Sequence, residues 1–444
     1  MKSLKEQLLH GEKIVGIWGL GYIGFSSMAY LAKAGVTCLG TDVRETRIMD
    51  VSKGKPEIPN LEYWIAFNTK QLAKAGLMKA TLDWKKLIDN KVAVHLITVP
   101  TEDEGKPYFE ILKDVVKKLC NFKNVKTDSP PLIIIESTMT PTSVDEVVIP
   151  FFEKNGLKVG KDILVGVAPR RDWFVSPDKT LETLPRVVGG TTPETTELMH
   201  EVLGIICKTV LKARDHKHSA IVKSIENAYR QVEITLANQL SLAYPDLDMV
   251  EILKLAGTKW NVGTYHPSFG TGGYCIPLAP QYVLEGAKRP EELKILKASL
   301  ETDFSQPRRV AQMLKKRGAK KVGILGLAYV GDLQVPTLSP TIGIAKELKK
   351  EGLHVKVNDP LFAPNEIREY TGADAFNFPE GMKEFDTIVM VANHSIYKYT
   401  HHSKIKKHLD NCKMILDNMG FWKHIDFGDK IRYIEAGGPN WIED

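Results

Sequence analysis

The sequence is poor in the features that mark membrane-spanning, secreted and nucleic-acid-binding proteins. No apolar run approaches the roughly 20 residues of a membrane helix, and the opening segment MKSLKEQLLHGEK lacks the apolar centre of a signal peptide. Lys and Arg number 60 against 54 for Asp and Glu, and the net charge of +6 is spread along the chain. This spread excludes a basic nucleic-acid arm and suits a small anionic substrate. We therefore expect a cytoplasmic protein without a nucleic-acid or membrane partner.

Cysteine is scarce as well. The five cysteines are an odd number, lie far apart and form neither a CxxC pair nor a zinc-ligand spacing: Cys38, Cys120, Cys207, Cys275 and Cys412. This usage predicts free thiols in a reducing compartment and no metal site. Hydrophobic residues at 43% and charged residues at 26% are typical of globular proteins. At about 150 residues per domain, the length of 444 residues predicts about three domains and favours a soluble enzyme.

A dinucleotide-binding pattern lies near the start of the sequence. The segment KIVGIWGLGYIGFSSMAYLAKAGVTCLGTDV contains an apolar strand, a glycine turn, a helix and a second strand that ends in Asp42. In such a unit Gly19 permits the tight turn, Gly21 lets a pyrophosphate approach the backbone, and Gly24 lets helix and strand pack closely. The pattern predicts a dinucleotide site, with a purely structural glycine turn as the alternative.

Asp42 indicates which dinucleotide to expect. A carboxylate at the end of the second strand accepts hydrogen bonds from the adenosine ribose, which favours NAD over its 2′-phosphorylated form. Arg44 and Arg47 follow closely, and guanidinium groups can accommodate a 2′-phosphate, so NADP remains an alternative.

The rest of the chain predicts an α/β fold. Apolar runs alternate with helical patterns to about residue 205, and the strands expected are 14–18, 36–41, 92–99 and 132–136. A pattern without Gly or Pro predicts a long central helix at 216–243, with apolar positions Ile221, Ile225, Tyr229, Val232, Leu236 and Leu240. A second strand, glycine turn, helix and strand, ending in Asp359, weakly repeats the first unit. We infer two Rossmann-like domains joined by the long helix and a helical middle domain, with boundaries at 1–205, 206–310 and 311–444.

Two sets of residues are candidates for chemistry. Cys275 follows two glycines in HPSFGTGGYCIPL, where a ligand can approach closely, so it is a candidate nucleophile; a buried, unreactive thiol is the alternative. Cys38 and Cys207 lie in apolar segments and are expected to be inert. Lys223 and Asn227 are four residues apart on one face of the central helix and can stabilise a developing oxyanion. A solvated polar stripe is the alternative for that pair.

Six motifs occur in the order and spacing of one enzyme family: GLGYIG, VPT, EST, KSIENAYR, GTGGYCIP and GILGLAY. Over nearly the whole chain the sequence resembles the nucleotide-sugar 6-dehydrogenases, which include UDP-glucose, GDP-mannose and UDP-N-acetylmannosamine dehydrogenases. The helix sequence ENAYRQVEITLANQLSLA is most similar to the last of these. The resemblance implies oxidation of a sugar C6 alcohol to a carboxylate by two NAD molecules without release of the aldehyde, in a homodimer that serves polysaccharide biosynthesis. It also implies that the first domain binds NAD, the middle domain dimerises and the last binds the nucleotide sugar.

The resemblance implies roles for individual residues. Cys275 adds to the aldehyde to give a thiohemiacetal, whose oxidation yields a thioester that water hydrolyses. Lys223 and Asn227 stabilise the oxyanion, and Thr138 helps to order a water. The implied NAD site comprises Gly19, Gly21, Tyr22, Ile23, Gly24, Asp42, Arg47, Thr101 and Thr138. The implied nucleotide-sugar site comprises Arg170, Arg171, Arg230, Gly272 and Gly273.

The sequence departs from this family at positions that matter for the chemistry. Arg170 stands where the family has a water-activating Glu, and Ala279 stands where it has an Asp four residues after the cysteine. The family's Lys and Arg of the last domain are also missing from VGDLQVPTLSP, which predicts a different sugar or nucleotide. Asp172 and Glu102 are candidate substitutes for the lost carboxylates.

Arg170 and its neighbour Arg171 suggest an anionic partner. Two adjacent guanidinium groups favour bidentate contacts with an extra carboxylate or phosphate near the sugar, or with the diphosphate itself. The alternative is that Arg170 faces solvent or pairs with a neighbouring acid such as Asp172.

Three functions follow from these observations. The leading interpretation is a nucleotide-sugar dehydrogenase with an altered site. The second is a dehydrogenase that stops at the carbonyl stage and does not use Cys275 as a nucleophile. The third is a catalytically silent protein that binds NAD and a nucleotide sugar.

Overall fold

The computed structural model describes residues 2–56, 61, 65–171 and 179–442. The chain forms two compact units. The first unit comprises Met1–Glu226 with Gln281–Lys288, and the second comprises Asn227–Pro280 with Arg289–Asp444. Among the described residues, no helix has both the length and the apolarity that crossing a membrane requires.

The first unit alternates strands and helices along its length. Its strands are β1 Ile14–Trp18, β2 Cys38–Thr41, β3 Met78–Thr81, β4 Val92–Ile97, β5 Glu102–Asp103, β6 Lys106–Pro107, β7 Leu132–Ile135, β8 Leu164–Val167, β9 Arg186–Gly190 and β10 Val210–Lys212. Its helices are α1 Leu4–Leu9, α2 Tyr22–Lys33, α3 Glu45–Ser52, α4 Thr69–Lys74, α5 Glu110–Leu119, α6 Ile149–Lys154 and α7 Pro193–Leu203. Two further helices contain a boundary between the units, namely α8 His216–Ala243 and α10 Ala279–Glu285.

The main sheet of the first unit has the strand order β10-β9-β8-β7-β4-β1-β2-β3. Its pairings are parallel except that between β8 and β9. Apolar clusters cover both faces, which explains why β4 and β7 are buried along their whole length. The order reverses at β1, so the crevice outside the carboxyl ends of β1 and β4 is where such sheets bind ligands.

The second unit contains another parallel sheet. Its strands are β11 Lys321–Leu325, β12 His354–Asn358, β13 Asp374–Ala375, β14 Thr387–Met390, β15 Met414–Asp417 and β16 Arg432–Glu435. Its helices are α9 Met249–Ala256, α11 Lys294–Lys316, α12 Pro340–Lys350, α13 Pro364–Thr371, α14 Ser395–Tyr399 and α15 His402–Lys406. The strand order β13-β12-β11-β14-β15-β16 matches that of β3-β2-β1-β4-β7-β8 in the first unit. Both units are therefore Rossmann-like, and the α/β fold class is confirmed.

The weak sequence repeat corresponds to a shared local structure. Gly19 and Gly326 follow β1 and β11 with φ of +90° and +99°, in the left-handed region that glycine adopts easily. After each glycine, a leucine N–H donates to a strand-end carboxylate: Leu20 to Asp42 and Leu327 to Asp359, both at 2.7 Å. The second turn differs in length, because α12 begins only at Pro340 whereas α2 begins at Tyr22.

Several strand boundaries differ from the sequence expectation. The second strand starts at Cys38 instead of residue 36, and β4 and β7 end at Ile97 and Ile135 instead of 99 and 136. Val36 and Val99 are apolar and Glu136 is buried although all three lie outside the strand pairing, so composition alone misplaces the strand ends. The sheet also extends beyond residue 205 through β10.

Helix α8 has the predicted extent, but its apolar positions do not form its buried face. The apolar positions Tyr229 and Leu236 are 70% and 51% exposed. The buried side of the helix is instead formed by small and polar residues: Ser219, Ala220, Ser224, Ala228, Gln231, Thr235, Asn238 and Ser241. Within each unit, the predicted apolar stripe of α8 therefore remains largely uncovered.

Candidate active site

The glycine turn after β1 has the geometry of a phosphate cradle. A Cβ at Gly24 would lie 1.9 Å from the carbonyl oxygen of Gly19, so only glycine allows this close packing. A Cβ at Gly21 would meet nothing nearer than Arg47 Nη1 at 3.7 Å, so the space above the turn is open. Gly21 is also the N-cap of α2 and provides no side-chain cap, which leaves the first N–H groups of the helix for an anion.

Asp42 supports this turn from the end of β2. Its side chain is 4% exposed, and it accepts from Leu20 N at 2.7 Å and from Arg44 N at 2.9 Å. Arg47 Nη1 lies 3.2 Å from the same carboxylate. Asp42 therefore orients the turn in this structure, and Arg47 is held beside it.

Thr101, Thr138 and Lys223 come together within the first unit. Thr101 follows β4 and donates its hydroxyl to Thr138 O at 2.7 Å, and Lys223 Nζ donates to Thr138 Oγ1 at 3.3 Å. Tyr282 closes the group by donating its hydroxyl to Thr101 O at 2.5 Å. Burial raises the pKa of Tyr282 to about 12, so this phenol stays a proton donor. The sequence predicts the first three residues as members of the site but contains no signal for Tyr282.

Arg171 is fixed by an acid that sequence reasoning also missed. Its Nε donates to Glu226 Oε2 at 3.1 Å, its Nη2 lies 2.5 Å from Glu226 Oε1, and its Nη1 donates to Pro185 O at 2.7 Å. Glu226 is three residues from Lys223 on α8 and hence on the same face of the helix. The bidentate contact gives the Arg171 guanidinium a defined orientation.

Arg170 lies in the interior of the first unit and is 1% exposed. It donates to Ser26 Oγ at 3.0 Å and to Ser27 Oγ at 2.6 Å, both on α2. The expected alternative in which Arg170 faces solvent is wrong, because the guanidinium is surrounded by helix α2 and the strand ends. The other expected partner, Asp172, lies outside the described residues.

The loop that carries Cys275 is held at several points within the second unit. Of the five cysteines, all of them in described residues, Cys275 is exposed and the other four are buried. Burial raises the pKa of Cys38, which keeps that thiol protonated, as expected for an inert core residue. Five hydrogen bonds join the loop to residues distant in the sequence. Four are donated by backbone N–H groups of the loop: Ser268 N to Asn238 Oδ1 at 2.6 Å, Phe269 N to Asn418 Oδ1 at 2.9 Å, Thr271 N to Asp303 Oδ1 at 2.9 Å and Gly273 N to Thr337 O at 2.8 Å. The fifth joins His266 Nε2 and Glu435 Oε1 at 3.1 Å. A thiol on such a loop is accessible and preorganised.

Tyr329 packs against the two glycines that precede Cys275. A Cβ at Gly272 would lie 2.5 Å from Tyr329 Cβ, and a Cβ at Gly273 would lie 2.8 Å from its Cζ, so the ring requires both glycines. Burial and then the nearby Cys275 raise the pKa of Tyr329 to about 12, and the charge of Arg230 opposes this shift. Tyr329 therefore packs on the cysteine loop, within electrostatic range of Cys275 and Arg230. The GILGLAY motif contained Tyr329, but its position beside the cysteine was not apparent from spacing.

Comparison with known proteins identifies the fold and the family. The UDP-glucose/GDP-mannose dehydrogenase family matches through its NAD binding domain at residues 13–206, its central domain at 217–303 and its UDP binding domain at 323–424. Protein CapL of Staphylococcus aureus is 30% identical over 438 residues, covering 91% of this chain and 95% of that protein. The chain belongs to the UDP-glucose/GDP-mannose dehydrogenase family.

Two further relatives agree with this assignment. A UDP-N-acetyl-D-mannosamine dehydrogenase of Methanococcus aeolicus is 26% identical over 453 residues, covering 96% of this chain and 95% of that protein. The solved structure of a UDP-D-ManNAc dehydrogenase from Pyrococcus horikoshii superposes with a TM-score of 0.82 at 23% identity, covering 96% of this chain and 99% of that one, and shows the shared fold. As a member of the UDP-glucose/GDP-mannose dehydrogenase family, the chain is an NAD-dependent nucleotide-sugar dehydrogenase.

The first unit fits the NAD of this dehydrogenase family. The open space over Gly21, the uncapped start of α2 and the strand-end Asp42 are the features that a diphosphate and a ribose require. NAD accepts a hydride when it is bound, and the protein contributes the groups that hold it. The expected cofactor is confirmed at the level of the family, and the individual contacts remain predictions.

The departures from the family pattern have distinct structural settings. Ala279 begins α10 and is buried, with its N–H donating to Cys275 O at 3.1 Å. Glu102, a candidate substitute acid, lies in β5 and contributes to the raised pKa of Tyr282. Arg170, which the sequence comparison predicts to replace the family's Glu, lies in the core. Of the two candidate substitute acids, Glu102 is the one that lies within the described residues.

Proposed function

We propose that this enzyme oxidises the C6 alcohol of a UDP-linked sugar to the uronate, with Cys275 as a covalent nucleophile. The observation that carries the proposal is the exposed thiol of Cys275 on a loop fixed by hydrogen bonds at several points. An accessible and preorganised thiol is the requirement for a covalent intermediate.

The chemistry balances in two oxidations and one hydrolysis. The alcohol first loses a hydride from C6 and a proton from its oxygen, which leaves an aldehyde. The Cys275 sulfur then forms a bond to the aldehyde carbon while the thiol proton passes to the aldehyde oxygen. Loss of a second hydride from the carbon and of the proton from the oxygen converts this thiohemiacetal to a thioester. Water cleaves the carbon–sulfur bond, releasing the carboxylate and restoring the thiol. Each sugar therefore consumes two NAD molecules and one water.

The residues near Thr138 are proposed to act on the reacting oxygen. Lys223 carries a positive charge and already donates to Thr138 Oγ1, so it can stabilise an alkoxide while Thr138 orders a water. Asn227 follows Lys223 by four residues on α8 and is assigned to the same oxyanion. The cofactor contacts proposed for the first unit are those of Gly19, Gly21, Tyr22, Ile23, Gly24, Asp42, Arg47 and Thr101.

The resemblance implies that five residues bind the nucleotide sugar, and we propose them as its contacts: Arg170, Arg171, Arg230, Gly272 and Gly273. In the second unit, Gly272 and Gly273 belong to the cysteine loop, Tyr329 packs against both, and the charge of Arg230 acts on Tyr329. In the first unit, Glu226 orients the guanidinium of Arg171. The relatives named as UDP-N-acetylmannosamine dehydrogenases make UDP-N-acetylhexosamines the first substrates to test. For Arg170, its burial in the core of the first unit favours a different role from substrate binding.

We also propose that the enzyme is a homodimer in a reducing compartment such as the cytoplasm. The apolar stripe of α8, with Tyr229 and Leu236, is largely exposed, and Leu255 and Trp260 are 62% and 91% exposed. Exposed apolar side chains along one helix face favour association with a second copy. The five free thiols favour the reducing compartment.

A second candidate function is supported by the altered acids. Arg170 and Ala279 remove two family carboxylates, and without water activation the reaction can stop at the carbonyl stage. The test is to incubate the enzyme and NAD with a panel of UDP-sugars and to identify the products by mass spectrometry. A uronate supports the proposal, an accumulated aldehyde supports the second candidate, and no product from any UDP-sugar would contradict both.

A further inference from the structure

Arg170 belongs to a buried hydrogen-bond network at the carboxyl edge of the first sheet. The other members are Ser26, Ser27, Glu136 and Arg186, and each of the five residues is at most 2% exposed. Glu136 directly follows β7, Arg170 lies shortly after β8, and Arg186 begins β9. The network therefore joins three strand ends to the helix that starts in the glycine turn.

The contacts form a continuous path from Arg170 to Arg186. Arg170 Nη1 donates to Ser27 Oγ at 2.6 Å, and Ser27 Oγ donates to Glu136 Oε2 at 2.6 Å. Arg186 Nη2 donates to the other carboxylate oxygen, Glu136 Oε1, at 2.5 Å. Removing one member of such a buried network leaves the remaining buried charges without their compensating partner, which is destabilising.

Arg170 also contacts the first turn of α2 directly. Its Nη1 lies 3.3 Å from Ile23 O, and its Nη2 donates to Ser26 Oγ at 3.0 Å. Ile23 lies in the glycine motif itself, so Arg170 contacts the segment whose N–H groups form the phosphate cradle. A lateral movement of this turn would displace every one of those N–H groups.

The charges of the network favour an anion at the same place. It contains two guanidinium groups and one carboxylate, and they lie beside the N-terminal end of α2, which carries positive dipole charge. Because these groups are buried, solvent screens their field only weakly. The diphosphate of NAD is the anion that a glycine turn of this type receives.

We propose that Arg170 is a positioning residue for NAD, which holds α2 and the glycine turn through Ser26, Ser27 and Glu136 and adds positive charge at the start of the helix. In this role Arg170 does not contact the nucleotide sugar. Replacement of the family's Glu by Arg170 is thereby linked to cofactor binding instead of water activation.

The test measures the binding of NAD and of UDP separately by calorimetry. Arg170→Met should weaken NAD binding at least tenfold and change UDP binding less than twofold. Arg170→Lys, which keeps the charge, should recover part of the NAD affinity, whereas a residue needed only for packing would not respond to the charge. Ser27→Ala, which interrupts the path to Glu136, should weaken NAD binding about threefold.

Lys13→Met is the matched control. Lys13 is also a nearly buried cation, 8% exposed and paired with Asp128 at 2.9 Å, but it precedes β1 at the end remote from the glycine turn. Its loss should leave NAD affinity within twofold of the wild type. Wild-type NAD affinity in Arg170→Met would overturn the proposal, and a selective loss of UDP binding would assign Arg170 to the substrate. If Arg170→Met does not fold, wild-type NAD affinity in both Arg170→Lys and Ser27→Ala would overturn it.

Discussion

Single residues at the strand ends explain much of the organisation of both units. Asp42 and Asp359 each accept from the backbone of a glycine turn, although only the first was expected to have a binding role. Asp359 also accepts from Ala328 N at 2.9 Å and contacts buried His394 at 3.0 Å. In both units the strand-end carboxylate therefore stabilises the glycine turn, whether or not it also contacts a ligand.

Asp42 leads to a prediction about cofactor choice. Its negative charge repels a 2′-phosphate, and Arg47 beside it is already engaged with the same carboxylate. We expect NAD to bind at least tenfold more tightly than NADP, about 1.4 kcal/mol, when both are titrated by calorimetry. Asp42→Asn should reduce this preference for NAD over NADP. Equal affinities in the wild type would contradict the assignment and favour a phosphate site at Arg44 and Arg47.

His95 leads to a prediction about pH and stability. Burial lowers its pKa from 6.5 to about 3, and Trp18 Nε1 donates to its Nδ1 at 3.1 Å, so the folded protein holds the ring neutral. Below pH 6.5 the unfolded chain binds a proton that the folded chain does not, so stability falls as the pH drops. Between pH 7 and 5 this difference amounts to about 2 kcal/mol of unfolding free energy.

The measurement compares wild type with His95→Gln by urea unfolding at both pH values. The amide can still accept from Trp18 and donate to the Val92 carbonyl that faces His95 Nε2. The variant should lose about 2 kcal/mol less than the wild type between pH 7 and 5. An identical loss in the two proteins would show that His95 does not titrate as described.

At the scale of elements, the length of helix α8 could be predicted from the sequence, but which of its faces is buried could not. Helix α8 runs from His216 to Ala243 as expected, because the absence of Gly and Pro is a local property of the sequence. Its apolar positions do not coincide with its buried face, because burial depends on which surfaces the rest of the chain places against the helix. Gln231 and Asn238 are fully buried, and Asn238 accepts from Ser268 N in the cysteine loop. No pattern within the helix sequence predicts a hydrogen-bond partner in a distant loop.

The helix that follows the glycine turn gives a paired prediction. Gly24→Ala places a Cβ 1.9 Å from Gly19 O, so we expect a loss of about 1–3 kcal/mol in unfolding free energy. Gly21→Ala has space, so its stability should fall by less than about 1 kcal/mol. NAD affinity should nevertheless fall at least tenfold in Gly21→Ala, because the methyl group enters the space of the diphosphate. Urea unfolding and calorimetry test both variants, and wild-type NAD binding by Gly21→Ala would contradict the cradle.

For the whole molecule, the two Rossmann-like sheets followed from hydrophobic runs and glycine turns that each lie within a short segment. The hydrogen bonds that hold the cysteine loop could not be predicted in this way, because their partners are distant in the sequence, such as Asn238, Asp303 and Asn418. Cys275 itself was found from its glycines, whereas Tyr329 and Tyr282 were not. Contacts of large sequence separation leave no periodic signal, so a single sequence does not reveal them.

The proposed homodimer is a prediction at this scale. Tyr229 and Leu236 lie seven residues apart on one face of α8, so changing both to Glu places two charges on the exposed apolar stripe. The double variant should elute as a monomer in size-exclusion chromatography with light scattering. Tyr399→Glu alters another exposed aromatic residue, 74% exposed on α14, and should remain a dimer. A dimeric double variant would show that α8 does not form the interface.

The central claim is two-step oxidation through Cys275, and the number of NADH molecules formed per sugar tests it most directly. A UDP-sugar identified as a substrate is supplied in limiting amount with excess NAD, and NADH is measured by absorbance at completion. Two-step oxidation through Cys275 predicts two NADH per sugar for the wild type and at most one, formed slowly, for Cys275→Ser with normal NAD binding. Two NADH per sugar from Cys275→Ser, or one from the wild type, would contradict it.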